Sequence, residues 1–456
     1  MVRMAPDVDV AEAHRDLDFQ GEHIVSRHRL SSGSVEPGHP ARPPKPTAPI
    51  GVVGGALGSV RDPLERTTSE EMSRTRNQPD PTPSPDLLVI GAGVIGLAIA
   101  RELLAAGRRV TLLERSEPGR AASWAAAGML SPLGEALEPG PFLRFALEGL
   151  EAYPAFAAEL EDETGIEVEL RHSGKLRVAL SHPEAERLRA RHAWAVEHGH
   201  RTAWLEPDSL AELEPGLTGA LGALRLDEDL RIDNRQLARA LAASVEARGG
   251  RLHRHTEVEE ILHAGGRVHG VRLAGGERLE CPRVLLAAGA WCGRLSGRPD
   301  AVPVRPVRGQ MLALRPEPLP SPRVLESEEV YLVPRDDGRL LVGATEEEAG
   351  FDPSLTAVGV QRILAGAIRL VPALAGAPID ELWTGFRPGT PDGFPILGAD
   401  PEIEGLYLAT GHFRNGILLT PATARAMATL LEEGRADSLP PEFAPTRFAR
   451  DPAGRG

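Results

Sequence analysis

Three glycines at G-x-G-x-x-G spacing, Gly91, Gly93 and Gly96, are followed by a carboxylate, Glu114, at about the ~20-residue separation of a dinucleotide-binding turn. The chemistry open to such a set is recognition of a pyrophosphate and a ribose. Gly91 permits a tight turn, Gly93 lets backbone approach the pyrophosphate, and Gly96 lets a helix pack closely on a strand. The helix N-terminus then faces the negative charge, and Glu114 accepts hydrogen bonds from ribose hydroxyls. A second glycine cluster at 51–55 has prolines before it and no acidic strand end after it, and reads as flexible chain.

The elements that must position these residues follow from periodicity. An apolar run at 87–90, a helical pattern at 94–106 and a second apolar run at 109–113 predict a βαβ unit. Further helices are expected at 142–163, 183–197 and 233–248, the last opened by Asp233 or Asn234. Strands are expected at 167–180, as a hairpin turning at Ser173-Gly174, and at 251–257, 267–273, 284–287, 304–314, 330–333 and 339–343. The final helix is expected at 421–433, with Thr420 as cap and Pro421 in its first position.

A chain of 456 residues with ordinary apolar content can bury a large core. Its net charge of -14 argues against nucleic acid as a partner. Two cysteines, Cys281 and Cys292, stand in no metal or redox spacing and imply no disulfide framework, which fits a cytoplasmic protein. No apolar run is long enough to span a membrane. The basic residues are almost all Arg, with Lys45 and Lys175 the only lysines, a trait ascribed to genomic base composition. His253 and His255 lack a third ligand at suitable spacing, so no metal is expected. Residues 1–85 read as a disordered extension, with Met72 a candidate start of translation.

From Arg115 onward the chain resembles glutathione-reductase-type flavoproteins of the D-amino-acid oxidase family, and specifically the glycine oxidases of thiamine biosynthesis. PGRAASWAAAGMLSP (118–132), GFRPGTPDGFPILG (385–398) and LATGHFRNGILLTPATA (408–424) carry the resemblance. It implies an α/β fold in which an FAD-binding Rossmann domain (86–141, 226–300 and 380–440) is interleaved with an antiparallel-sheet substrate domain (142–225 and 301–379). A flexible tail (441–456) follows. It implies FAD bound non-covalently, since Ala125 stands where related dehydrogenases place a flavin-linked His and no Cys follows Cys292. The pyrophosphate would lie at Gly91, Gly93, Val94, Ile95 and Gly96, the ribose at Glu114 and Arg115, and the adenine by Val258. The isoalloxazine would lie along Ala122, Ser123, Ala126, Ala127 and Gly128. Gly289, Gly411, His412, Asn415, Gly416 and Ile417 would complete the site, the C-terminal turn aiming backbone N–H groups at the reduced ring.

The resemblance also names a substrate end. Arg387 is the guanidinium fork for a carboxylate, Tyr331 a second donor to it, and Arg414 a wall of the same pocket with its carbonyl toward the amine. Glu329 and Glu346 depart from the family pattern and are expected to face away from the pocket. The implied reaction is oxidative deamination of glycine to an imine with dioxygen reduced to hydrogen peroxide. Glyoxylate and ammonia, or hand-over to thiazole synthase, would follow, in a homotetramer. A dehydrogenase for D-amino acids or sarcosine and a non-catalytic redox sensor are the rival readings.

Overall fold

The runs 87–90, 110–113 and 284–286 are buried along their length, as strands covered on both faces of a parallel sheet must be. In the computed structural model, which describes residues 84–135, 139–297 and 302–448, they form the centre of a six-stranded sheet. Its order is Ile396–Ala399, Leu406–Thr410, Val284–Leu286, Leu87–Ile90, Val110–Leu113, Arg251–His253. Only the first pair is antiparallel. The period of two divides its core: Leu87 and Val89 pack on helices Val94–Ala105, Pro141–Thr164, Asn234–Ala247 and Gly416–Glu433, whereas Leu88 and Ile90 pack toward a three-stranded sheet spanning 258–280.

A second sheet of eight strands runs in the order Ile379–Gly389, Arg305–Leu314, Leu340–Gly343, Tyr331–Pro334, Val324–Glu326, Lys175–Val178, Ala223–Leu226, Ala203–Leu205. It is antiparallel except where Val324–Glu326 meets Lys175–Val178. Helix Ala357–Leu370, capped by the Thr356 hydroxyl, covers one face. The other face meets segment 122–127: the Trp383 indole donates to the Ala125 carbonyl at 3.1 Å, and Arg235 lies 3.7 Å over the Trp124 ring.

Several expectations need correction. Strand Ile379–Gly389 pairs along its length with Arg305–Leu314, so the stretch from 380 opens in the larger sheet and not with the nucleotide-binding half. Helix Pro141–Thr164, expected with the substrate domain, instead packs on helices Asn234–Ala247 and Gly416–Glu433, because its apolar stripe of Phe145, Tyr153, Phe156 and Leu160 faces the nucleotide-binding core. Only Lys175–Val178 of the expected hairpin is a strand; Arg171 makes a single bridge to Arg231. The tail expected from 441 is anchored through 448 by buried Phe443, edge-on to Phe145, and by Arg447 on Asp392. The readings made for residues 1–83, Met72 included, and for 449–456 lie outside the described residues.

The final helix starts at Gly416, with Asn415 as cap, and carries Pro421 inside it. Proline has no N–H, so the Ile417 carbonyl one turn earlier loses its helical donor. The hydroxyl of fully buried Tyr153 donates to that carbonyl instead. Burial raises the phenol above its usual range, so it stays a donor. Tyr153→Phe keeps the ring packing and orphans the carbonyl, and is expected to cost about 1 to 3 kcal/mol of stability, read from urea unfolding. An unchanged midpoint would mean that another donor serves Ile417.

Candidate cofactor cleft and adjoining pocket

At the carboxyl end of strand Leu87–Ile90 the chain turns at Gly91 with φ +101°. A side chain there would stand 2.6 Å from the Ala287 carbonyl oxygen. Gly96, expected at the pyrophosphate, instead packs its backbone on Gly91 and does not line the cleft that this turn opens. The turn opens a cleft of about 510 Å³. Two helix N-termini end at it, those of Val94–Ala105 and Gly416–Glu433. Neither has a side-chain cap from its own N-cap residue or an acid in its first turn, so their N–H dipoles are open to an anion. The Ser123 hydroxyl accepts from Val94 N–H at 3.1 Å. Glu114 accepts from Ala92 N–H at 2.9 Å and from Ser116, which fixes its carboxylate at the cleft wall.

Gly91, Gly93, Val94, Ile95, Glu114, Arg115, Ser123, Val258, Gly289, His412 and Gly416 all line this cleft. Gly411, at φ +75°, does not; it packs on Thr390 and Ile396. Trp291, Arg272 and Arg294 also line it and had escaped the sequence reading. Arg115 lies 3.7 Å over the Trp291 ring, and burial lowers its pKa. The His412 imidazole is buried against the Thr423 hydroxyl at 3.2 Å, and burial pushes its pKa down to about 3. It is neutral and poorly suited to proton uptake.

Ala122, Ala126, Phe413, Arg414 and Ile417 line both this cleft and a smaller cavity of about 150 Å³. Ala127, Gly128, Asn415, Tyr331 and Arg387 line the smaller one. Phe413, at the junction, holds φ +48°, a conformation rare for a bulky residue. Sheet register places Glu326, Tyr331, Gly343, Met311 and Trp383 in one row across adjacent strands and so on one face. Glycines in that face leave room for flat groups. A Cβ at Gly343 would stand 2.5 Å from the Tyr331 ring, and one at Gly309 would overlap the Arg387 guanidinium. An isolated glycine within a strand signals such close approach, but its partner cannot be read from sequence.

Arg387 donates to the Thr345 carbonyl at 3.1 Å and has no carboxylate partner among the described residues. Burial raises the Tyr331 phenol, with Arg387 opposing, so it remains a donor. A fork with free N–H groups beside a hydroxyl suits a carboxylate ligand. Arg414 is already paired with Glu135 at 2.9 Å, and that pairing raises its pKa.

Glu329 lies outside the pocket on Arg369 at 2.7 Å, and Glu346 is half-exposed. The acids that do line the pocket, Glu135 and Glu326, were missed. Burial acts to raise the Glu326 carboxyl, but Lys175 and Arg177 outweigh it and hold it below its usual range. Behind it, Lys175 pairs with Glu326 and donates to the Ser131 hydroxyl at 3.2 Å, and Ser131 donates to Asp229. Burial pushes the Asp229 carboxyl up to about 7, against Lys175 and the Ser131 hydrogen bond.

The glycine turn, the two open helix ends and the adjoining pocket fit a flavin dinucleotide. Among the described residues no group of His, Cys, Asp and Glu could hold a metal ion, and no helix is long and apolar enough to cross a membrane. A bifunctional protein ThiO/ThiG from Trichormus variabilis is 40% identical over 80% of this chain, which spans 55% of that relative's length. The chain thus spans about half the length of several of the curated relatives it matches. A glycine oxidase from Pseudomonas aeruginosa is 39% identical over 79% of this chain and 98% of its own. The crystal structure of glycine oxidase from Geobacillus kaustophilus superimposes with a TM-score of 0.78 at 34% identity, covering 81% of this chain and all of that one. With a family model matching residues 86–430, the chain belongs to the FAD dependent oxidoreductase family.

Proposed function

We propose that this protein oxidises glycine to its imine, which hydrolyses to glyoxylate and ammonia, with dioxygen as the electron acceptor. The observation that carries this reading is the pairing of Arg387 with Tyr331 in a small pocket that shares a wall with the cofactor cleft. FAD, when bound, would supply the two-electron acceptor, with dioxygen as the final oxidant and hydrogen peroxide as its product. Gly91, Gly93 and the open helix ends would hold its pyrophosphate, and Glu114 its ribose. Arg387 and Tyr331 fix the substrate carboxylate and so orient the Cα hydrogen, a use of proximity more than of acid–base chemistry. Met311 and Phe413 supply apolar lining beside these polar groups.

A cavity of about 150 Å³ favours an amino acid without a long side chain, which supports glycine over larger D-amino acids. The glycine oxidase names of the relatives support the same reading. The proposed setting is a cytoplasmic homotetramer that hands dehydroglycine to a thiazole synthase, and the joined ThiO/ThiG relatives support the hand-over. The experiment is anaerobic mixing of the yellow protein with glycine, followed by oxygen. Bleaching that reverses with peroxide release is expected. Bleaching by sarcosine or D-alanine alone would move the substrate, and none with any amine would end the reading.

Gly309 gives a separate handle on the fork. In Gly309→Ala the new methyl would overlap the Arg387 guanidinium, the movable end of a side chain, so the sheet survives and Arg387 shifts. Overpacking of about 1 to 3 kcal/mol is expected to raise the KM for glycine about tenfold or more with FAD retained, read from steady-state peroxide release. An unchanged KM would place the fork elsewhere.

A further inference from the structure

We infer that Asp229, acting through the Ser131 hydroxyl, takes the proton that the substrate ammonium must lose before its Cα–H bond can break. This rests on the proposed amine oxidation and goes beyond it, since that reading gives the proton no destination. An amino acid arrives mainly as ammonium at neutral pH, and a positively charged nitrogen cannot donate its electron pair toward an imine.

The geometry supplies a path. Ser131 lines the pocket with Tyr331, Arg387 and Arg414. Its hydroxyl donates to Asp229, which is 4% exposed and lies behind the pocket wall. In the step, an N–H bond of the ammonium breaks and that proton passes to Ser131 Oγ. The Ser131 O–H proton passes to Asp229 Oδ2, leaving a neutral amine and a carboxylic acid. No electrons change hands.

The other groups around the pocket are poor acceptors. Glu326 is held ionised by Lys175 and Arg177, Glu135 is tied to Arg414, and His412 is spent on Thr423. Asp229 is faced by Lys175 and Arg177 from one strand and Glu326 from the next. Burial places its titration at about 7, near the working range of a general base. Lys175 adds an independent sign of construction. In a sequence whose 51 cationic residues are otherwise arginines but for Lys45, a lysine stands here, 1% exposed. A Cβ at Gly134 would stand 2.7 Å from its Nζ, so the space is shaped for a compact ammonium and not a guanidinium. Lys175 donates to the Ser131 oxygen, and the Ser131 hydroxyl in turn donates to Asp229.

The test follows anaerobic flavin bleaching by glycine from pH 6 to 10 in the unaltered holoenzyme, Asp229→Asn and Ser131→Ala. The unaltered protein should gain rate through about pH 7 and then level off. Both variants should lose about a hundredfold near neutrality and regain rate as pH approaches the ionisation range of free glycine, where the ligand arrives already neutral. A loss that is the same at every pH in both variants, or no loss, would overturn the inference while the proposed oxidation stands. Absence of bleaching in the unaltered protein would instead remove the oxidation and this inference with it. Infrared titration of the ligand-free protein is a second readout: a carboxylic C=O band lost near pH 7 and absent from Asp229→Asn supports the assignment, and its absence from the unaltered protein contradicts it. If Asp229→Asn does not fold, Ser131→Ala decides the outcome.

Discussion

Arg387→Ala is expected to leave the protein yellow and to lower kcat/KM for glycine by roughly 30- to 1,000-fold, the worth of about 2 to 4 kcal/mol for a charge-assisted bidentate contact in a desolvated pocket. FAD retention is expected because Arg387 lines the smaller cavity and not the dinucleotide cleft. The loss is large because no neighbouring cation can take over. Arg414 is committed to Glu135, and Lys175 and Arg177 to Glu326. The remaining hydroxyl of Tyr331 would face a carboxylate without a counter-charge, with the ionised Glu326 in the cross-strand position beside it. Arg387→Lys should recover only part of the rate, since an ammonium offers a point charge in place of a planar fork. Steady-state kinetics with the flavin-to-protein ratio as control checks this, and unchanged turnover would remove Arg387 from the site.

How far these residues could be read from the sequence depends on how local their structure is. The βαβ unit was legible because strand, turn, helix and acid follow one another within a short stretch, and their contacts are near in sequence. Arg387 and Tyr331 were named only through motif resemblance. Nothing in composition separates them from the many other arginines or from a core aromatic. Glu329 and Glu346 face away from the pocket, as expected, but the acids that do occupy it, Glu135 and Glu326, were not read from the sequence. The reason is register: Glu326 stands opposite Tyr331 in the ladder and shares its face, while Glu329 lies in the turn between the two strands and reaches Arg369 in solvent. The last helix was misread for a related reason. Pro421 looks like a start signal until Tyr153, far away in sequence, supplies the missing donor to Ile417. Gly309 and Gly343 serve side chains on neighbouring strands, so their purpose becomes visible only once the sheet is assembled.

Gly91→Ala is expected to yield a folded protein that fails to retain FAD, with affinity lowered by more than about a hundredfold, or roughly 3 kcal/mol. Two costs act together at this position. The backbone holds φ +101°, and the new Cβ would meet the Ala287 carbonyl oxygen at 2.6 Å and its carbon at 2.9 Å. Both contacts are backbone of a central strand end, so no side chain can give way, and the turn that presents Gly93 and the first helix must move instead. Gly107→Ala separates the two costs. It holds φ +80° just past the far end of the same helix, away from the cleft, and has nothing within 4 Å of a built Cβ, so it should show only conformational strain and keep its flavin. Gel filtration followed by the flavin-to-protein absorbance ratio reads the outcome, with circular dichroism to confirm that both variants fold. If Gly91→Ala and Gly107→Ala retained FAD equally, the close approach at Ala287 would have no part in cofactor binding and the pyrophosphate would have to lie elsewhere in the cleft. Loss confined to Gly91→Ala would tie the cofactor to the one turn where strand end, helix end and carboxylate converge.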